Sequence, residues 1–155
     1  MNFETMTDTE LLLAHCRIID HIRQRNLHSP GGNPIAGYAE LLVSERLRLE
    51  LAPDENVGFD ARDLATGETY QIKHTRAPRR VPQTGMINNL DGRPFDLLVF
   101  LILNQDLSVR EAWKLAYDFF YRNARYSKAN DAHYICITQD LRAQPELKDI
   151  SYRFA

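Results

Sequence analysis

Cysteine is scarce in this chain: Cys16 and Cys136 are the only two among 155 residues. Two thiols make no disulfide framework, and no Cys/His cluster has zinc-ligand spacing, so a disulfide-stapled scaffold and a structural zinc site are excluded. Glycine and proline are also few, seven of each, and neither a repeat nor a low-complexity segment is present. Long hydrophobic runs are missing as well. The longest, Leu97 to Leu103, falls far short of the ~20 apolar residues that cross a bilayer. The acidic start, "MNFETMTDTE", lacks the basic-then-apolar order of a signal peptide, so a reducing cytoplasm is expected. Charge of one sign does not dominate either. A net charge of −2 gives no global attraction to nucleic acid, and any basic footprint has to be local.

What is present suits one globular domain over residues 1–155, with 44% hydrophobic and 26% charged residues, long enough to bury a core. Thr7 to Asn26 reads as a helix, opened by capping-box spacing between Thr7 and Glu10 and followed by the breaker "HSPGGNP". A second helix is expected over Ile35 to Leu49. Its apolar stripe of Ala36, Val43 and Leu47 also carries Glu40, a carboxylate that is costly there unless paired. The bland alternative puts Glu40 at the edge of a broad stripe. Further on, "FDLLVFLILN" suits a central strand covered on both faces, and "LSVREAWKLA" another strand, although Val109, Trp113 and Lys114 also suit a helix. "YDFFYRNARYSK" reads as a short helix and "AHYICIT" as a late strand, while the tail shows no clear pattern. The order predicts an α/β (α+β) fold, a mixed central sheet flanked by helices.

Between Gly58 and Arg76 lies "GFDARDLATGETYQIKHTR", a predicted hairpin. With Thr66-Gly67 as a two-residue turn, Ala65 faces Glu68, Arg62 faces Gln71, and Asp60 faces Lys73. Alternation then puts Asp60, Arg62, Gln71 and Lys73 on one face and Phe59, Ala61, Tyr70 and Ile72 on the other, core-facing side. A carboxylate, an amide oxygen and an ammonium together suit hard-cation chemistry. Mg²⁺ or Mn²⁺ takes oxygen ligands such as Asp60 and Gln71, Lys73 can act on a nearby water, and Glu40 can support them if its helix packs on that face. The plain alternative is a hairpin with a solvated polar face.

"GYAELLV" on a helix, then "GFDA", a turn and "YQIK", resembles the PD-(D/E)xK nuclease superfamily, the restriction-endonuclease-like fold. The resemblance spans about residues 33 to 115. It implies that Asp60 is the first acid, Gln71 stands at the second acid position, Lys73 is the lysine and Glu40 is the helix glutamate. It also implies a Mg²⁺-dependent endonuclease on DNA, of a restriction or defence type. The literal Pro53-Asp54 lies in a turn with poor reach to the hairpin. Gln71 in place of an acid removes a negative charge, although some active restriction enzymes look similar there.

A local basic stretch follows. No acid occurs from Thr69 to Leu90, while Lys73, Arg76, Arg79 and Arg80 are basic and His74 adds a polar ring. These are candidate phosphate contacts, with Gln83, Asn88 and Asn89 as candidate base readers; for any one of them a solvated loop residue is the plain alternative. Arg122, Arg125 and Lys128, interleaved with Tyr121 and Tyr126, form a second basic cluster that also suits an exposed helix face. The five histidines lack metal-ligand spacing, "SPGGNP" is no phosphate-binding loop, and Cys136 and Trp113 suit core roles. The expected function is thus a metal-dependent DNA nuclease, with no organic cofactor and a two-fold homodimer as a natural arrangement for cutting both strands. The alternatives are a catalytically inactive nucleic-acid-binding protein on the same fold, and an interaction protein without any nucleic-acid role.

Overall fold

A computed structural model describes residues 2–25, 27, 33–53, 58–76 and 81–155. The chain divides into two compact units, Met1–Tyr38 and Ala39–Ala155. In the first, helix α1 (Asp8–Gln24) starts at a complete capping box: the Thr7 hydroxyl accepts from the Glu10 N–H, and the Glu10 carboxylate accepts from the Thr7 N–H at 2.8 Å. Helix α2 (Pro34–Leu47) crosses the boundary between the units. Asn33 caps its start by accepting the Ile35 N–H at 3.0 Å, with Pro34 at the first helical position, where a missing N–H costs nothing. The helix ends two residues before the expected Leu49. Arg48 adopts a left-handed φ of 59°, and the Leu49 N–H returns to the Ser44 carbonyl at 2.9 Å, which closes the last turn.

The second unit is built on a six-stranded mixed sheet in the order β1 (Glu50–Leu51), β2 (Ala61–Arg62), β3 (Thr69–Arg76), β4 (Leu97–Leu103), β5 (Val109–Ala116), β8 (Lys148–Asp149). Only the β3–β4 pair is parallel. The fold is therefore α+β with a mixed sheet, as the element order predicts. β4 is its centre: Leu98 through Leu103 are wholly buried, as a strand covered on both faces should be. Helix α3 (Tyr117–Asn123) follows β5 directly, then the small hairpin of β6 (Arg125–Ser127) and β7 (Ala132–Tyr134), and the short helix α4 (Gln139–Arg142).

Register assigns the faces. Gln71 pairs with Leu98 and Lys73 with Phe100, and these pair onward with Leu115 and Trp113. That row belongs to the principal core, which also gathers Phe95, Tyr117, Phe120, Ile135 and Ile137. Tyr70, Ile72, Val99, Leu101, Ala112 and Lys114 lie on the other face. The hairpin's apolar residues were expected to share one face and meet the core there. Tyr70 and Ile72 are buried, but Phe59 packs against the principal cluster on the opposite side.

Three further expectations change. The helix over residues 117–128 stops at Asn123, because Arg125–Ser127 pairs with β7 instead. The strand expected over "AHYICIT" is regular only to Tyr134. Beyond it, residues 135–137 clip the crossover segment in place: Thr84 N–H bonds to Ile135 O at 3.0 Å, and Ile137 N–H to Pro82 O at 2.8 Å. Cys136 is half-buried, not a full core residue, and both cysteines are free.

Candidate active site

β2 is two residues long and β3 eight, so most of β3 lies beyond the reach of its antiparallel neighbour. The ladder pairs Arg62 with Thr69 and Ala61 with Tyr70, a shift of two residues from the predicted register. The cause is the turn. It is a six-residue connection, not Thr-Gly alone, with Asp63 N–H bonded to Glu68 O at 2.9 Å and Gly67 N–H to Asp63 O at 2.7 Å. Asp60 therefore does not stand across from Lys73. A shift of two preserves the alternation, so Arg62, Gln71 and Lys73 keep their common face.

Just before β2, Asp60 leaves the regular ladder. Its N–H donates to Tyr70 O at 2.8 Å, and its carboxylate turns back to β3. There Asp60 Oδ2 accepts the Ile72 N–H at 2.6 Å, standing in for a strand carbonyl where the partner strand has run out. The same oxygen accepts from Gln71 Nε2. Asp60 and Gln71 are thus joined directly, and Gln71, only 8% exposed, is no solvated surface group. Lys73 lies on the same face one strand repeat further on.

Burial pushes the Asp60 carboxyl above its ordinary value, opposed by the Ile72 N–H and the Lys73 charge. Glu40 is not among the groups that shift Asp60, and Asp60's side-chain bonds go to Gln71 and Ile72. The helix glutamate, Glu40, is half-buried on α2.

Gln71 and Lys73 open onto a cleft of about 530 Å³, also lined by Gly58, Asn88, Asn89 and Asp91. Gly58 has φ +122°, and a Cβ added there would meet Pro94 Cβ at 3.1 Å, so both conformation and space demand glycine. The far wall is held by Ile87, whose backbone exchanges two bonds of 2.8 Å with His133, and by the Tyr117 hydroxyl, which donates to Leu90 O at 2.6 Å. Asn88 and Asn89 therefore line the cleft. Asp91 was not among the expected site residues; the folding back of the crossover makes it line the same cleft as Gln71 and Lys73.

The other expected contacts disperse. His74 and Arg76 share the opposite face of β3 with Tyr70 and Ile72. Burial and the Lys73 charge both hold the His74 pKa down, so it offers phosphate no positive charge at neutral pH. Arg79 and Arg80 lie outside the described residues. Gln83 is exposed on the bridge to Cys136. In the second basic cluster, Arg122 pairs with Glu146 at 2.7 Å and the Tyr126 hydroxyl donates to Asp131 at 2.7 Å.

Among the described residues, no three His, Cys, Asp or Glu side chains converge as a metal cluster. The donor set is instead one carboxylate and one amide in contact. A half-turn of the Gln71 amide would bring its oxygen beside Asp60, giving two oxygen donors with room in the cleft for water and a phosphate. These residues fit a hard divalent cation. Compared with known proteins, the sequence matches no family model and no curated protein.

Proposed function

We propose that the protein is a divalent-cation-dependent nuclease acting on DNA phosphodiesters, with Asp60 and Gln71 holding the cation and Lys73 beside the reacting phosphate. The observation that carries this reading is the Asp60–Gln71 contact, with Gln71 and Lys73 on one face of β3 and both opening onto the cleft. A buried carboxylate with a raised pKa costs free energy as an anion, and a bound cation offsets that cost. When bound, Mg²⁺ or Mn²⁺ neutralises charge on the attacked phosphate and makes a nearby water more acidic. Gln71, on β3, and Asp60, just before β2, would hold the ion. Lys73, whose stem runs past Gly85 with 3.6 Å between its Cδ and an added Cβ there, would present its ammonium to a phosphate oxygen or to the attacking water. Asn88 and Asn89 would contact the nucleotide on the far wall.

The resemblance to PD-(D/E)xK nucleases supports the same assignment. The test is cleavage of plasmid and linear DNA with Mg²⁺ or Mn²⁺. Lys73→Ala should lower the rate by about 10²-fold or more. Cleavage unchanged in that variant removes the catalytic reading.

A second reading is a nucleic-acid-binding protein that does not cut. It is favoured by Gln71 at the second acid position, which leaves a single carboxylate in contact with it. Calorimetry separates the two. Salt-sensitive DNA binding with no heat of Mg²⁺ or Mn²⁺ binding supports the non-catalytic protein.

A further inference from the structure

The sheet face opposite Gln71 and Lys73 carries a second cleft, of about 510 Å³, and its lining is strongly cationic. Arg46 and Arg48 reach it from the end of α2, Lys114 from β5 and Arg153 from the C-terminal segment, while Tyr70 and Tyr152 supply aromatic surface. One acid, Asp63, is present. None of these four cations has an ion-pair partner among the described residues.

The β5–β8 ladder makes the imbalance sharper. Lys114 stands directly opposite Lys148. Like charges across a ladder destabilise a sheet, and here the pair lies on the two strands that close its edge. The negative end of α2 accounts for a nearby arginine, but gives no reason to place lysine against lysine. An anion held in the cleft against Lys114, where Arg46, Arg48 and Arg153 also converge, offsets that repulsion. We propose that this cleft is a phosphate-dianion site, taking a nucleoside monophosphate or a similar small phosphate ester.

The chemistry fits that class. Arginine forks match phosphate oxygens in pairs, and Lys114, half-buried in the sheet face, adds a fixed point charge. Tyr152 is 68% exposed, with the Arg153 guanidinium 5.2 Å from its ring centre, so a flat apolar surface lies beside the charges. A base can stack there while the phosphate sits among the cations. This site is separate from the cation site, on the other face of the same strands, and does not depend on nuclease activity.

Thermal unfolding of the full chain tests it, in sodium chloride, sodium phosphate and adenosine monophosphate at matched ionic strength and a few millimolar anion. Saturable stabilisation by phosphate or the nucleotide is expected, by roughly 5–10 °C at about a hundredfold excess over Kd. A larger rise with the nucleotide assigns the ester and its base, and equal rises assign the bare phosphate group; both support the site. Lys114→Gln should raise the midpoint without anion, by relieving the cation pair, and abolish the anion-dependent rise. Arg153→Gln, a surface change, should weaken that rise even if Lys114→Gln does not fold. Equal midpoints in chloride and phosphate, or a full rise retained in Arg153→Gln, would overturn the proposal.

Discussion

Asp60 concentrates the conflict on which the candidate site depends. Its carboxylate replaces a missing ladder carbonyl for Ile72 and holds the Gln71 amide, yet burial disfavours its charge. The pH consequence follows from the direction of the shift. With the folded pKa raised above the ordinary 3.8, the folded chain keeps a proton that the unfolded chain has released. Stability from this group is complete below the unfolded pKa and is lost as pH rises through the folded one. Asp60→Asn cannot ionise, and its side-chain oxygen can still accept the Ile72 N–H. It should be at least as stable as the native chain at neutral pH, with a flatter stability profile from acid to neutral, while losing divalent-cation binding. Urea unfolding across that pH range checks this; an Asn variant clearly less stable at neutral pH would show that the anion is not the costly form.

Among the elements, β4 carries the fold. Leu101 is fully exposed to neither side and fully buried between its neighbours, so Leu101→Ala should cost about 2–5 kcal/mol in denaturant unfolding. A loss under about 1 kcal/mol would mean that the face away from the principal core is loosely packed. β4 was also the most legible element in the sequence, because an unbroken apolar run has few other uses in a chain this size. The α1 cap and the alternation of β3 were legible for the same kind of reason: each depends on neighbours close in sequence. The hairpin register was not, because Asp63 builds a longer turn by bonding to Ala65, Gly67 and Glu68, a choice that the Thr-Gly pair conceals. Nor was Asp91, which reaches the cleft only through backbone bonds to His133 and a bond from Tyr117, remote in sequence. β8 was not legible either, because two polar residues, Lys148 and Asp149, carry no alternation.

At the scale of the whole molecule, α1 belongs to the first unit and the sheet to the second. No residue of α1 is buried, and Leu12 and Leu13 are 67% and 54% exposed. Removing residues 1–24 should therefore cost the sheet unit no more than about 1 kcal/mol, measured by urea unfolding. A larger loss would mean that the helix contributes packing which its exposure does not suggest. Within the sheet unit, the parallel β3–β4 pair joins Tyr70 to Leu97 across 27 residues, whereas β2 and β3 share only two paired positions. A lone hairpin that short is marginal in water. At about 5–20 residues per second, a ribosome needs roughly 1–5 s to add the stretch from Tyr70 to Leu97. Until that stretch has been made, β3 has no central strand to lie against and the cleft has no far wall. By the order of synthesis alone, each new copy carries Asp60, Gln71 and Lys73 for seconds before it can hold them together.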